Sequence, residues 1–490
     1  MIPQLLQLDW STLLQVSLPW IIIFFVAALI FLTAALTEDE NTIVIPLLAL
    51  TGIVIAFTLS WQRWLCESFS PYITEMLLFD RLSFFVWLLV LLAAAFTVLL
   101  SIPYLSARGF SKPEYYGLIL LSTFGMGCLV SAGDLLMVYL GIETMSLAVY
   151  VLAGFLRTRE ASNEAALKYF LIGAFASAFL LLGIAFIFGS AGTTNLGVLA
   201  NRSQEIMTGD GRSFYLFGMA MILIGFGFKV AAVPFHAWAP DVYDGAPTPI
   251  TAFMATAVKA AAFIAFLRVG ISAFRATGDL WISILTAGSI ITMFVGNLAA
   301  IAQENIKRML AYSSIAHAGY ILVAFPAIVN DPQGVGRAVL FYLTAYILMT
   351  AGAFAVVVAM GLGKEEYVEI NRLAGFSKKR PVMAAVLTLF LLSLLGIPPT
   401  VGFFGKYYLF LTAVKSGFVW LVVIAVINSA LSAYYYLRPI VVMYFGREEE
   451  AQVAEPLSPF VVAVIAVTSL GVAYFGIFPA NLLAIVSKSV

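Results

Sequence analysis

The strongest constraint on this fold is a series of about fourteen apolar runs, each long enough to form a helix that crosses a membrane. A bilayer core of roughly 30 Å requires about 20 apolar residues in a helix. Only 11% of the 490 residues are charged, whereas a soluble domain has about a quarter. A membrane β-barrel would alternate apolar and polar residues, but runs such as 88–100 are apolar on every face. We therefore predict an all-α polytopic membrane protein.

The predicted spans follow from the positions of these apolar runs. They cover residues 16–36, 42–61, 80–102, 115–131, 134–156, 163–189, 213–243, 248–274, 279–302, 304–326, 336–361, 381–415, 417–445 and 457–480. Because no Lys or Arg precedes the first run, we expect a retained first helix and not a cleaved signal peptide.

Two of these spans, the seventh and the twelfth, contain residues that interrupt helices. The interrupting residues are Pro234 and Pro240 in the seventh span, and Gly396, Pro398 and Pro399 in the twelfth. Proline removes a backbone donor and frees the carbonyl four residues earlier, which here belongs to Val230, Leu394 and Leu395. Broken helices in membranes line cavities or transport sites. We predict two discontinuous helices, with a simple packing kink as the alternative.

An internal repeat relates the two broken helices. With an offset of 173 residues, four identities connect the sixth span with the eleventh: Ala165, Leu167, Tyr169 and Ala178 match Ala338, Leu340, Tyr342 and Ala351. A shift by five helices inverts the topology, so helices 4–8 and 9–13 are predicted to be inverted five-helix repeats. The predicted domains are residues 1–110 (helices 1–3), 111–278 (first repeat), 279–446 (second repeat) and 447–490 (helix 14).

Basic residues predict the orientation and also include a group of unusual lysines. With both termini on the outer side, thirteen of the 26 Lys and Arg residues, including Lys307, fall on the inner side and nine on the outer side. The other four lie inside apolar spans, together with one acid: Lys168, Lys229, Lys259, Lys406 and Glu143. A charge near the bilayer centre costs at least about 2.5 kcal/mol, which favours a functional role.

These five residues are the candidate site, and a proton relay is the chemistry they favour. The proton affinity of a buried acid or lysine depends on which charges lie nearby. Glu143 and Lys229 would form a switchable ion pair, Lys259 the central relay and Lys406 the last group before release. His236 and His317 would extend this relay, because imidazole both donates and accepts protons near neutral pH.

Each candidate also has a structural interpretation. Lys168 has Glu164 four residues earlier and could form a local ion pair near the helix end. His236 could bind a carbonyl that the helix break frees, and His317 could be a satisfied polar group between helices. The Glu143–Lys229 pair could have a purely structural role, in which it fixes the register of the two helices. These alternatives remain open at this point.

Redox centres and nucleic-acid binding are not predicted for this chain. Cys66 and Cys128 belong to no Cys-x-x-Cys cluster, so we expect no iron–sulfur or zinc site. No glycine-rich nucleotide motif is found, and the net charge of zero gives no basic face. We expect any redox cofactor to lie in another subunit.

Four motifs together identify a known family. They are FGFKVAAVPFHAWAPDVYDGAPTP at 226–249, GIETMSL at 141–147, EAALKYF at 164–170 and GIPPTVGFFGK at 396–406. These motifs resemble the antiporter-like subunits of respiratory complex I, most closely its subunit N branch. The resemblance covers the whole chain and implies a proton-pumping membrane-arm subunit without its own redox centre. Glu143 and Lys229 match the family's switching pair, Lys259 its central lysine and Lys406 its terminal lysine.

The resemblance also implies partners and a location. NADH, FMN, iron–sulfur clusters and quinone are expected in partner subunits, and other membrane-arm subunits are expected beside this chain in a bacterial inner membrane. A subunit of a multisubunit cation/proton antiporter is the alternative function. A third possibility is a scaffold whose charges only lock the helices together.

Overall fold

The computed structural model describes residues 10–36, 43–66, 72–110, 112–361, 369–446 and 457–490, and these are mainly helical. The helices are α1 (Trp10–Leu36), α2 (Val44–Leu65), α3 (Arg81–Ser106), α4 (Pro113–Val130), α5 (Leu135–Ala153), α6 (Glu160–Ala191), α7 (Leu196–Thr208), α8 (Arg212–Val230), α9 (Trp238–Gly245), α10 (Thr248–Phe253), α11 (Lys259–Val269), α12 (Asp279–Ile301), α13 (Ile306–Leu322), α14 (Pro332–Met360), α15 (Phe376–Lys379), α16 (Pro381–Leu395), α17 (Val401–Lys415), α18 (Val419–Phe445), α19 (Pro459–Ile477) and α20 (Pro479–Ser489).

Shorter elements complete the described chain. Strands β1 (Tyr72–Ile73) and β2 (Leu78–Phe79) form one antiparallel pair. The π-helical segment Met254–Val258 joins α10 to α11, and a second one, Gly270–Phe274, continues α11, so that one helix runs over Thr248–Thr277. Single 3₁₀ turns occupy Arg275–Thr277, Phe325–Val329 and Ile370–Leu373.

The predicted class, an all-α membrane protein, is confirmed. Within the described residues, twelve helices are long and apolar enough to cross a membrane. The two other predicted spans correspond to α4, which has 18 residues, and to the pair α16 and α17, which have 15 residues each. Sequence analysis missed the short helices α7, α15 and α20. The predicted last domain begins in residues 447–456, which lie outside the described residues.

Both predicted broken helices are discontinuous. The first break separates α8 from α9 and begins at Ala231, whose φ of 58° is left-handed. The second separates α16 from α17 and begins at Gly396, with φ of 90°. Glycine adopts this conformation freely, whereas an L-residue such as alanine pays about 1–2 kcal/mol for it. Such strain is typical of functional sites.

Equivalent packing relates the first repeat to the second. A Cβ added to Gly125 of α4 would meet the backbone nitrogen of Met145 in α5 at 2.4 Å. A Cβ added to Gly296 of α12 would meet the backbone nitrogen of Ala316 in α13 at 2.5 Å. Both members of the second pair follow those of the first by 171 residues. Both helix pairs therefore approach each other closely at the same repeat position.

The loops show the same correspondence. An isolated antiparallel bridge joins Asp134 to Asn195 in the first repeat, and another joins Asn305 to Glu369 in the second. Asp134 and Asn305 both cap the helix that follows, and each accepts a bond from a backbone N–H two residues later. These pairs are offset by 171 and 174 residues, close to the offset found in the sequence.

The centre of the molecule is formed by helices that present little surface. The continuous helix Thr248–Thr277 is buried along its apolar stretch, and α13 and α14 are nearly so, whereas α1, α2, α18 and α19 bury a third or less of theirs. Exposed apolar helices at the periphery suit contact with lipid. The buried centre carries most of the polar candidates.

Candidate functional site

Three of the lysines predicted inside apolar spans are almost completely buried. Lys229 is 4% exposed, Lys259 2% and Lys406 6%. Lys229 lies at the end of α8, Lys259 at the start of α11, and Lys406 within α17. Charged side chains are almost never buried unless they are paired, so the partners of these ammonium groups decide what they can do.

Lys229 is held by two hydroxyl groups just before the first helix break. Its Nζ donates to Ser146 Oγ at 2.7 Å and to Tyr150 Oη at 3.2 Å, both on α5. The aromatic rings of Phe228 and Tyr150 lie 5.0 and 5.4 Å from the ammonium nitrogen. Hydroxyl groups both donate and accept hydrogen bonds, so these partners are compatible with a charged or a neutral lysine.

Glu143 lies near Lys229 but forms no direct ion pair with it. The two residues interact electrostatically, yet no contact within 4 Å joins them among the described ion pairs, and the buried Oε1 of Glu143 has no hydrogen-bond partner. Glu143 is half-buried, and its neighbours on the same face of α5, Leu140 and Leu147, are exposed. The predicted pair is therefore near but separated.

Lys259 occupies the centre of the molecule and binds α13. Its Nζ donates to the Ser314 carbonyl oxygen at 2.6 Å and also to Ser314 Oγ. The ring of Tyr346 from α14 lies 5.8 Å from the nitrogen. The π-helical segment that ends at Val258 directly precedes the lysine, and such π segments frequently occur at functional sites.

Lys406 binds a carbonyl group that the second helix break leaves without a helical partner. Its Nζ donates to the Leu395 carbonyl oxygen at 2.8 Å and to Ser429 Oγ at 2.8 Å. The ring of Tyr320 lies 4.6 Å away. This contact agrees with the expectation that Pro399 frees the Leu395 carbonyl, because the Lys406 side chain is now the hydrogen-bond donor to that oxygen.

His317 lies between Lys259 and Lys406 and interacts electrostatically with both. Its Nδ1 binds Tyr342 Oη and its Nε2 binds Tyr436 Oη at 2.9 Å. Tyr436 Oη also binds Ser313 Oγ, beside the serine that holds Lys259. On the other side, Asn297 Nδ2 donates to Tyr320 Oη at 3.1 Å, and the Tyr320 ring faces Lys406. His317 and its tyrosines thus form a polar cluster close to both lysines.

His236 lies within the first helix break and is half-buried. Its Nδ1 is buried and has no hydrogen-bond partner. A hydrogen bond spans the break nearby: Trp238 Nε1 donates to the Phe228 carbonyl oxygen at 3.1 Å. His236 belongs to the region of Lys229 and not to the network around His317.

Lys168 has a different environment from the three buried lysines. It is 39% exposed and pairs with Glu164 at 2.6 Å and with Asp241 of α9 at 2.7 Å. Asp241 also binds Arg308 at 3.0 Å. The predicted local ion pair is present, and a relay role for Lys168 stays a prediction.

One buried lysine was missed in the sequence. Lys307, counted there among the inner-side charges, is 0% exposed and donates to the carbonyl oxygens of Asp244 and Ala246 at 2.8 and 2.9 Å. It lies at the second position of α13. Because the polar residues Asn305 and Arg308 are close to it in the sequence, it was assigned to a loop at the inner membrane surface. No signal in a single sequence separates these cases.

Metal ligands are not gathered anywhere in the described part of the chain. No group of three or more His, Cys, Asp or Glu side chains there could hold a metal ion. Cys66 lies at the end of α2, whereas Cys128 lies within α4.

Known proteins resemble this chain in sequence and in fold. Residues 132–432 match the family model described as NADH:quinone oxidoreductase/Mrp antiporter, transmembrane. NADH-quinone oxidoreductase subunit N of Trichlorobacter lovleyi is 42% identical over 487 residues, which cover 99% of this chain and 98% of that protein. A chain of respiratory complex I from Thermus thermophilus is 35% identical, with a TM-score of 0.80 and coverage of 95% and 98%. A chain of the Mrp complex from Dietzia has a TM-score of 0.85 at 20% identity, covering 97% of both chains, which shows a common fold.

Proposed function

Since this chain belongs to the family of NADH-quinone oxidoreductase subunit N, an antiporter-like membrane subunit of an enzyme complex, we propose that it moves protons through two half-channels. Quinone reduction elsewhere in the complex drives this movement. The chain itself holds no redox centre; NADH, FMN, iron–sulfur clusters and quinone bind partner subunits. Other membrane-arm subunits, including sister antiporter-like subunits, pack beside it.

The observation that carries this proposal is a set of three almost completely buried lysines, Lys229, Lys259 and Lys406, inside apolar helices. Each of them binds hydroxyl or carbonyl oxygens, and none forms an ion pair with a carboxylate in the described residues. A lysine that only locked helices together would be expected to pair with an acid, because unpaired buried charge is costly. Neutral partners instead allow the lysine to release and regain a proton.

The proposed roles follow the order of these groups along the chain. Glu143 and Lys229 form a switching pair in the first half-channel, where movement of charge towards or away from Glu143 changes the proton affinity of Lys229. Lys259 is the central relay, His317 and its tyrosines connect it with Lys406, and Lys406 releases the proton. His236 and Lys168 pass protons into the first half-channel.

The proposed domain division follows the same symmetry. Residues 111–278 and 279–446 form the inverted repeats, preceded by helices 1–3 in residues 1–110 and followed by helix 14 in residues 447–490. The equivalent glycine contacts and loop bridges support this division. Both chain termini lie on the outer side of a bacterial inner membrane, as the distribution of Lys and Arg favours.

A cation/proton antiporter independent of redox chemistry is the second candidate, because the Mrp complex shares the fold. The two functions differ in what drives proton movement. The test is to extract the protein from its native membrane in mild detergent, identify its partners, and reconstitute the whole assembly in vesicles. NADH-driven proton uptake with flavin and iron–sulfur partners supports the proposal. Proton exchange driven by sodium or potassium, without such partners, would overturn it.

A further inference from the structure

A clamp joins the short half-helix α9 to the beginning of α13. It consists of Asn305, Lys307 and Arg308 on one side and Asp241, Asp244 and Ala246 on the other. Asn305 Nδ2 donates to Asp244 Oδ1 at 2.8 Å, and Arg308 donates to Asp241 Oδ1 at 3.0 Å. Lys307 is the fully buried member, and its ammonium group donates to the backbone carbonyl oxygens of Asp244 and Ala246.

Lys307 does not stabilise α13 by its position in that helix. The beginning of a helix carries a partial positive charge, so a cation there is disfavoured by about 0.3–1 kcal/mol. Lys307 and Arg308 both lie in this first turn. The favourable contact is with α9, because the end of a helix has free carbonyl groups and a partial negative charge.

The half-helix α9 contacts both half-channels. At its beginning, Trp238 donates to the carbonyl of Phe228, next to Lys229. Near its end, Tyr243 lies beside Ser314, which binds Lys259. A shift of α9 would therefore disturb the surroundings of Lys229 and Lys259 together.

We propose that Lys307 is a positioning residue whose ammonium group fixes the end of α9 against α13 and so keeps the two half-channels in register. This inference deepens the proposed function and rests on it for the effect on pumping. The mechanical part, that Lys307 holds α9, can be tested without any pumping measurement.

The test compares Lys307→Met with Lys307→Arg and with Lys379→Met in the whole purified complex. Lys379 is an exposed lysine ten residues after Glu369, the bridge partner of Asn305. Hydrogen exchange of the amides of residues 238–246 is measured by mass spectrometry. In Lys307→Met we expect exchange at least roughly tenfold faster, the change expected from losing a hydrogen bond to a charged group. Lys307→Arg should restore most of the protection, and Lys379→Met should leave it unchanged.

Proton translocation is then measured on the same assembled variants. Small misplacement of groups can cost up to about a hundredfold in rate, so we expect Lys307→Met to pump on the order of tenfold more slowly and Lys307→Arg to recover. Unchanged exchange in α9 would overturn the inference, as would faster exchange with normal pumping. If Lys307→Met fails to assemble, Lys307→Gln, which keeps an amide donor without the charge, replaces it under the same criteria. Normal pumping by Lys229→Met would instead refute the proposed function and leave the exchange result standing.

Discussion

The two broken helices of this molecule hold their lysines in different ways. Lys229 precedes the first break and binds hydroxyl groups, with the separated carboxylate of Glu143 nearby. Lys406 follows the second break and binds the Leu395 carbonyl that the break leaves free. The repeat is therefore symmetric in its backbone but not in its charges.

The positions that correspond across the repeat sharpen this difference. Counted by the offset of 171 residues, Glu143 and Ser146 of α5 correspond to Ser314 and His317 of α13. The first repeat has an acid and a hydroxyl group where the second has a hydroxyl group and an imidazole. In the proposed function, charge would therefore switch the first half-channel, whereas the second would pass protons through neutral groups.

The largest effect is expected when Lys229 keeps its charge but loses its ability to release a proton. Arginine stays protonated in proteins, so Lys229→Arg should reduce NADH-driven proton uptake by at least about tenfold, since proton transfer by a positioned side chain contributes about 10²–10⁴-fold. Uptake is measured in inverted vesicles with a pH-sensitive dye. Lys378→Arg, at an exposed position, is the control. Normal pumping by Lys229→Arg would favour the scaffold interpretation.

Removing the carboxylate of Glu143, whose corresponding position in the second repeat is Ser314, should have the next largest effect. Glu143→Gln keeps the shape of the side chain but removes its charge, and we expect proton uptake to fall roughly fivefold because an opposite charge is lost near Lys229. Glu143→Asp should retain more activity. Equal activity of Glu143→Gln and the unchanged protein would remove the distinction between the two half-channels.

The corresponding position in the second half-channel should be more tolerant. Ser314→Ala removes the hydroxyl group but leaves the carbonyl oxygen that accepts from Lys259 at 2.6 Å. A single hydrogen bond to a charged group is lost, and partial compensation by the carbonyl limits the expected decrease in proton uptake to roughly twofold. A decrease larger than that of Glu143→Gln would reverse the comparison.

The smallest effect is expected at Lys168, which is partly exposed and already paired twice. Exposed ion pairs contribute about 0–1 kcal/mol, so Lys168→Met should change proton uptake by less than about twofold in the same vesicles. A loss as large as that of Lys229→Arg would make Lys168 a member of the relay.

The sequence predicted the helical membrane fold, both breaks and the buried lysines because each has a local signal. Long apolar runs, prolines and a charge inside such a run can all be read along the chain. Lys307 had no such signal, because its burial depends on α9, which lies 61 residues earlier and folds back onto α13. The separation of the Glu143 and Lys229 side chains could not be predicted either, because distances between side chains on different helices follow from tertiary packing.

The central claim is that buried lysines carry protons across the middle of the molecule, and Lys259 tests it most directly. The measurement is the number of protons translocated per NADH oxidised by the assembled Lys259→Met complex in vesicles, compared with the unchanged complex. The account predicts a lower number in a complex that is fully assembled, because the link between the half-channels is lost. An unchanged number would contradict it.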